Sequence, residues 1–142
     1  MLLRSDLYDY QRKAVDFVVG NKRSFLMLDL GLGKTVSALT AASDLLDGMA
    51  ARKVLVIAPL RVANKVWPAE VDKWQHLRHL RVQVCTGSAK KRLAALHRDA
   101  DIYVINREIV TQLVDMYGKQ WPFDFVIIDE SSSFKNSSSK RF

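Results

Sequence analysis

The sequence predicts an α/β fold in which a mainly parallel sheet carries helices on both faces. Short apolar runs rich in β-branched residues alternate with segments of helical periodicity, as expected for strands buried on both faces and joined by crossover helices. The predicted strands are Ser24–Leu30, Lys53–Pro59, Arg81–Cys85, Ile102–Ile105 and Phe123–Ile128. The predicted helices are an opening segment over Leu7–Val19, then Lys34–Leu46, Ala63–Trp74, Ala89–Leu96 and Arg107–Tyr117.

Residues at the ends of these segments support the helix assignments. Ser88 and Asn106 precede two helices and are predicted N-caps, while Gly48 and Gly118 follow two others as predicted stops. Pro68 lies inside the second helix, which we expect to break or to start late at that point. In a sheet of this kind, ligands bind where the loops leave the carboxyl ends of the strands.

Length and composition are those of one globular domain over residues 1–142. The chain is 49% hydrophobic and 26% charged, the proportions of a protein with an ordinary core. Its single cysteine, Cys85, cannot form an internal disulfide. The longest uncharged apolar run, Val54–Leu60, is much shorter than the about 18 residues of a membrane span. We therefore expect a cytoplasmic protein with no membrane partner.

Positive charge is concentrated in the middle of the chain. The formal charge is +7, and the segment from Arg52 to Arg98 holds eleven basic and two acidic residues, so it carries +9 and leaves −2 for the rest. Lys and Arg release condensed counterions when they neutralise phosphates, which makes this segment a candidate nucleic-acid surface. Charge alone is equally compatible with a solvated face balanced by an acidic neighbouring domain.

A phosphate-binding loop is predicted where the first strand ends. Gly31 and Gly33 allow a tight backbone whose amides can surround phosphate oxygens, Lys34 would reach the β- and γ-phosphates, and the Thr35 hydroxyl would ligate Mg²⁺. The helix that starts here directs its positive dipole end at the anion. One departure from the full GxxxxGK[ST] pattern is Leu28, which occupies the position of the first glycine.

A pair of carboxylates follows the last predicted strand. Asp129 would hold Mg²⁺, and Glu130 would orient and deprotonate the attacking water. A strand that merely leaves the core through two acids is the simpler alternative. The combination of an apolar strand ending in two carboxylates with a Gly-Lys-Thr loop favours a site for ATP and Mg²⁺.

The ordered motifs resemble the first motor lobe of helicase superfamily 2, and most closely the Snf-type (sucrose-non-fermenting) ATPases. The segment from Leu7 to Gln11 is similar to the family's adenine-sensing segment, so the resemblance assigns adenine recognition to Gln11. The segment from Asp29 to Thr35, including Leu32, is similar to motif I, which usually lacks the first glycine in this family. The other matching segments are Val56–Leu60 with Trp67, Glu70 and Trp74, then Val104–Glu108, and finally Asp129–Asn136.

The last of these segments is the most specific. It is similar to the family pattern D-E-x-H-x-x-K-N, with Lys135 and Asn136 in place and Ser132 at the histidine position. The serine variant indicates a phage or bacterial member, acting in a bacterial or phage-infected cell. An RNA helicase of the same superfamily is disfavoured by the Lys135-Asn136 ending and by the W-x-x-E-x-x-x-W helix.

The resemblance implies a RecA-like P-loop NTPase three-layer sandwich that hydrolyses ATP to move on double-stranded DNA. It places Arg61, Lys65 and Arg107 where relatives face the nucleic acid. Gly87 and Ser88 are further candidates, because a helix start offers donors to phosphate. Solvated surface for the basic residues, and a plain capped helix after Ser88, remain open alternatives.

A working motor of this family has a second RecA-like lobe, and the sequence shows only most of the first. From this we expect weak nucleotide binding and hydrolysis near background for the 142 residues alone. An uncovered sheet edge could also favour self-association. The chain could be a piece of a longer ATPase, or a shortened lobe that serves as a DNA- or protein-binding module.

Overall fold

The computed structural model describes residues 24–28 and 34–129, with side chains from residue 35 onwards. The predicted opening helix over Leu7–Val19 lies outside these residues. All five predicted strands are present, each within about two residues of its expected bounds. They are β1 (Ser24–Leu28), β2 (Val54–Ala58), β3 (Val82–Cys85), β4 (Ile102–Asn106) and β5 (Phe125–Asp129).

Helices follow the strands as the sequence predicts. The α-helices are α1 (Lys34–Asp47), α2 (Trp67–Lys73), α3 (Ala89–Leu96) and α4 (Val110–Tyr117). A π-helix at Val62–Val66 precedes α2, and short 3₁₀ turns occupy Gln75–Leu77, Arg107–Ile109 and Gly118–Gln120. Within the described ranges, every helix is too short or too polar to cross a membrane.

The five strands form one sheet in the order β1-β5-β2-β4-β3. Every pairing between them is parallel; Leu28 of β1 is the register partner of Asp129 of β5, and Ala58 of β2 is the partner of Asn106 of β4. Parallel neighbours need crossover connections, and here these carry the helices. The predicted parallel α/β arrangement is confirmed.

Hydrophobic cores lie on both faces of the sheet, which gives the predicted three layers. On one face, β2 side chains such as Val54 and Val56 pack with α1 and α2 residues such as Leu39 and Trp67. On the other face, Leu55 and Ile57 pack with residues of α3 and α4. Successive residues of a strand point to opposite faces, so burial on both sides explains why these strands are apolar at every position.

Pro68 changes the form of the second helix. The sequence predicted one helix over Ala63–Trp74, whereas the structure has a π-helix followed by α2, with Trp67 N–H bonded to the Val62 carbonyl. Proline has no N–H to give to the residue four positions earlier, and its ring crowds that carbonyl. The widened turn before it accommodates the proline, and the backbone stays helical from the π-helix into α2. The expected break or late start at Pro68 is therefore wrong: the chain is helical without a gap from residue 60 to residue 73, and the proline is preceded by a π-helical turn.

The predicted helix ends have mixed outcomes. Ser88 caps α3, because its Oγ accepts from the Lys91 N–H at 3.3 Å. Gly118 ends α4 with φ of 51°, a conformation that glycine adopts readily. Asn106 occupies the predicted N-cap position, with extended backbone before a helical turn at Arg107, but its side chain makes no cap hydrogen bond and its amide donates instead to the Glu108 carboxylate at 2.9 Å. The chain then enters a 3₁₀ turn before α4 begins.

An ion-pair cluster joins the amino ends of β3 and β4. The Arg81 guanidinium contacts Asp101 at 3.2 Å and Asp99 at 2.9 Å. Hydrogen bonds to Asp101 and then Asp99 raise the pKa of Arg81 above its usual range. The Arg81 N–H also donates to Asp101, so the pair fixes where β3 enters the sheet.

Tyr103 supplies a buried polar anchor in the same region. The residue is fully buried in β4, and its ring packs edge-on against Phe123 with centroids 5.6 Å apart. Its hydroxyl accepts from the Ala100 N–H at 3.0 Å and donates to the Arg98 carbonyl. This one side chain therefore pairs two backbone groups of the turn that leads into β4.

Replacing Tyr103 with Phe should lower the free energy of unfolding by about 1–3 kcal/mol, because two backbone groups would lose their partner. The measurement is urea denaturation, in which the midpoint falls while the slope is unchanged. Tyr117→Phe is the matched control: that ring is partly buried against Phe123, and we expect a change within about 0.5 kcal/mol. Equal effects of the two variants would contradict this role for the Tyr103 hydroxyl.

Candidate nucleotide and nucleic-acid site

The candidate site residues that the structure describes gather along one edge of the sheet. Parallel strands present all their carboxyl ends at the same edge, and each candidate residue ends a strand or follows one. They are Lys34 and Thr35 after β1, Arg61 and Lys65 after β2, Gly87 and Ser88 after β3, Arg107 after β4, and Asp129 at the end of β5. These positions therefore lie along one edge of the sheet, and their roles stay predictions from the sequence.

Other predicted site residues lie outside the described part of the chain. These are Gln11, Gly31, Leu32, Gly33 and Glu130. Lys34 is described only as the first residue of α1. The roles of these five residues and of Lys34 stay predictions from the sequence.

Strand order divides this edge into two parts. The two strands associated with the nucleotide motifs, β1 and β5, are neighbours, and Leu28 and Asp129 end them in register. The three strands that lead to the basic candidates, β2, β4 and β3, form the rest of the sheet. The predicted nucleotide residues and the predicted nucleic-acid residues therefore lie side by side on one edge.

Asp129 is the buried carboxylate of the nucleotide part. Only 2% of the residue is exposed, and its Oδ2 accepts a hydrogen bond from the Trp67 indole N–H at 2.9 Å. Burying a carboxylate is costly unless it is hydrogen-bonded or paired. The protein therefore holds a charged acceptor in a fixed place at the end of β5.

The donors in this part fit Mg²⁺ bound together with a nucleotide. Mg²⁺ prefers oxygen ligands and is usually held by one or two protein groups plus waters and phosphates. Asp129 offers a carboxylate, and Thr35, partly buried in the first turn of α1, offers a hydroxyl. Across residues 24–28 and 34–129, no three His, Cys, Asp or Glu side chains cluster as a metal site.

The basic part of the edge begins at the π-helix and the residue that precedes it. Arg61 directly precedes the π-helix, Lys65 lies within it, and both side chains are exposed. In the same segment Ala63 is buried against the core. The segment thus directs cations outwards while it stays packed against the sheet.

Hydrogen bonds order the neighbouring turn between β3 and α3. The Thr86 hydroxyl donates to the Asn64 side-chain oxygen at 2.6 Å, which ties this turn to the π-helix. Gly87 has φ of 92°, and its carbonyl accepts from Arg92 at 2.9 Å. Ser88 uses its oxygen as a cap acceptor, which leaves its hydroxyl hydrogen able to donate. The cap role and a phosphate-contact role are therefore compatible.

Arg107 is less accessible than the other basic candidates. It opens the 3₁₀ turn after β4, its side chain is 19% exposed, and its Nε lies 3.9 Å from the Glu108 carboxylate. A contact from Arg107 to a phosphate would compete with this neighbouring acid. The exposed pair Arg61 and Lys65 offers the stronger positive surface.

The hydrogen bond to Asp129 was not anticipated from the sequence. Of the two tryptophans in this segment, Trp67 is fully buried, whereas Trp74 is 37% exposed. The Trp74 indole donates to Glu70 on its own helix at 2.8 Å. A buried tryptophan usually finds an acceptor for its N–H, so the residue type carried a signal, but the sequence could not identify which acceptor.

The cysteine and the three histidines of the basic segment differ in burial. Cys85 is fully buried at the end of β3, and burial raises its pKa to about 12, so its thiol stays protonated at neutral pH. The three histidines are exposed; His76 contacts Thr40 of α1 at 2.8 Å and His79 contacts Asp47 at 3.5 Å. These contacts hold the 3₁₀ turn against α1.

Comparisons with known proteins identify relatives of this chain. A family model described as SNF2-related domain matches residues 10–142. Protein p41 of Acyrthosiphon pisum secondary endosymbiont phage 1 is 43% identical over 129 residues, covering 89% of this chain and 28% of p41. The DNA excision repair protein ERCC-6-like of Homo sapiens is 31% identical over 154 residues, covering 97% of this chain and 12% of that protein.

A solved structure has the same fold. The Sulfolobus solfataricus SWI2/SNF2 ATPase core in complex with dsDNA aligns with a TM-score of 0.58 and 30% identity, covering 97% of this chain and 29% of that chain. The chain spans less than a third of the length of these relatives.

Proposed function

Because this chain belongs to the SNF2-related domain family, we propose that it is the ATP-binding lobe of a DNA-dependent ATPase that moves on duplex DNA. The observation that carries the proposal is the divided edge, where a buried Asp129 lies beside strands that lead to exposed Arg61 and Lys65. The solved relative described as an ATPase core in complex with dsDNA supports this choice of ligands.

In the nucleotide part, ATP would bind between the loop after β1 and the end of β5. The backbone of Gly31, Leu32 and Gly33 would surround the phosphates, Lys34 would pair with their charge, and Gln11 would read the adenine edge. Thr35 and Asp129 would hold Mg²⁺, which neutralises charge on the β- and γ-phosphates when bound. Glu130 would accept a proton from the attacking water.

In the nucleic-acid part, the contacts would be to phosphates and not to bases. Arg61 and Lys65 supply charge, while Gly87 and Ser88 supply a backbone N–H and a hydroxyl at the start of α3. Such contacts position a protein on a duplex without reading its sequence. Arg107 would join them when its contact with Glu108 opens.

We propose that a second RecA-like lobe outside these 142 residues completes the catalytic site. A charge-stabilising arginine from such a partner is worth roughly 10³–10⁵ in kcat in related phosphoryl transfer. Without it, hydrolysis by this chain would stay near background, and an uncovered sheet edge could pair with another copy. The relative in a phage supports the cytoplasm of a bacterial or phage-infected cell as the place of action.

Replacing Lys34 with Ala should weaken binding of Mg²⁺·ATP by about 10- to 100-fold, because one charged hydrogen-bonding partner is worth about 1.5–3 kcal/mol. Isothermal titration of the 142-residue chain measures the affinity. Lys119→Ala is the matched control, since Lys119 is exposed and follows α4 at the opposite end of the strands. Equal affinities for the Lys34→Ala, Lys119→Ala and unaltered chains would contradict the nucleotide assignment.

Replacing Arg61 and Lys65 together with Ala should weaken duplex DNA binding at every sequence tested. The slope of log affinity against log salt should fall by about 1.8, because each phosphate contact contributes about 0.9. Fluorescence anisotropy with a labelled duplex, at several salt concentrations, measures this slope.

The control for the DNA experiment is the double variant Arg78→Ala, Arg98→Ala, which removes the same charge from exposed residues just before β3 and β4. We expect its salt slope to equal that of the unaltered chain. Identical losses in both double variants would show that only net charge matters and would refute a defined surface. DNA binding without nucleotide binding would instead favour a binding module over an ATPase lobe.

A further inference from the structure

Trp67 and Asp129 are joined by a hydrogen bond inside the core, 62 positions apart in the sequence. The indole is fully buried and the carboxylate is 2% exposed, so water competes little for either group. Indole N–H can only donate and a carboxylate oxygen accepts, which fixes the direction of the bond. Oδ2 of Asp129 is therefore held in one place by a rigid side chain from another element.

The local path of the chain explains how the indole reaches this carboxylate. β2 pairs directly with β5, with Ile57 opposite Ile128, so the segment leaving β2 starts beside the end of β5. The π-helix then widens the path before Pro68, and Trp67 enters the core at the first position of α2. Its neighbours in that core include Ala58 and Ala63, small residues that leave room for the indole.

We propose that Trp67 is a positioning residue for the magnesium ligand Asp129. The proposal rests on the function proposed above, because it needs Mg²⁺ to bind with the nucleotide. By engaging Oδ2, the indole would fix the orientation of the carboxylate group that holds the cation. Groups that orient a ligand in this way are a regular part of metal sites, and their loss typically costs 10- to 100-fold in metal affinity.

A purely structural role for Trp67 makes a different prediction. If the indole only filled space, its loss would lower stability without changing how nucleotide binding depends on Mg²⁺. The chain contains a matched control, because the Trp74 indole makes the same kind of bond to the Glu70 carboxylate at 2.8 Å. Trp74 directly follows α2 and is 37% exposed, whereas Asp129 is buried.

The experiment compares Trp67→Phe with Trp74→Phe in the 142-residue chain. Each change removes an indole N–H and keeps an aromatic ring. Binding of a fluorescent ATP analogue is titrated with Mg²⁺, and again with the metal chelated. We expect Trp67→Phe to raise the Mg²⁺ concentration for half-maximal binding by about 10-fold, with no change in metal-free binding, and Trp74→Phe to leave both unchanged.

A second measurement does not depend on a folded Trp67 variant. The chain has three tryptophans, so an ¹⁵N–¹H spectrum of the unaltered protein should contain three indole signals. Trp74→Phe and Trp121→Phe assign two of them, which leaves the third to Trp67. Adding Mg²⁺·ATP should shift the Trp67 signal and leave the Trp74 signal in place, whereas ATP with chelator should leave the Trp67 signal in place.

The outcomes separate the two proposals. If the unaltered chain binds the nucleotide in a Mg²⁺-dependent manner but Trp67→Phe behaves like Trp74→Phe, the positioning role is overturned and the proposed function stands. A Trp67 indole signal that does not respond to Mg²⁺·ATP also overturns the positioning role. If the unaltered chain shows no Mg²⁺-dependent binding, the proposed function fails and the positioning role fails with it.

Discussion

Parallel pairing of all five described strands is the constraint on which the rest of the structure depends. A parallel strand cannot be joined to its neighbour by a tight turn, so each connection crosses a face of the sheet and covers it. The same constraint brings every strand's carboxyl end to one edge. Core burial and site assembly therefore follow from a single feature, and the loops that leave this edge carry the chemistry.

Positions of the strands could be predicted from the sequence, because runs such as Val54–Ala58 are apolar at consecutive positions and burial on both faces requires this. The order of strands could not. Nothing local to Phe125–Asp129 specifies that it pairs with both Ser24–Leu28 and Val54–Ala58, because that choice depends on contacts between distant segments. The shared edge followed from parallel pairing alone, whereas its division into two parts needed the strand order.

The hydrogen-bond partners of the site residues also could not be predicted from the local sequence. Asp129 was identified because an acid follows an apolar strand, and Ser88 because a serine precedes a helical pattern. Asn106 satisfied the same cap rule, yet its amide bonds Glu108 and the chain takes a 3₁₀ turn. The donor to Asp129 comes from a segment 62 positions away whose path depends on the turn before Pro68. Local rules find candidate donors and acceptors, but tertiary packing decides which of them meet.

One short segment, residues 61–67, contributes to both the nucleotide part and the nucleic-acid part of the edge. Arg61 and Lys65 are exposed on it, and two residues later Trp67 reaches the buried carboxylate. Thr86 and Asn64 tie the next basic turn to the same segment at 2.6 Å. A shift of this segment would therefore move both the exposed cations and the hydrogen-bond donor to Asp129.

Hydrogen–deuterium exchange on the 142-residue chain tests the divided edge most directly. With Mg²⁺·ATP, the account predicts slower exchange in residues 29–36 and 129–132; with duplex DNA, it predicts slower exchange in residues 59–66 and 86–92. Protection by DNA at the opposite edge, in residues 47–53 and 97–101, or by both ligands over the same peptides, would contradict it.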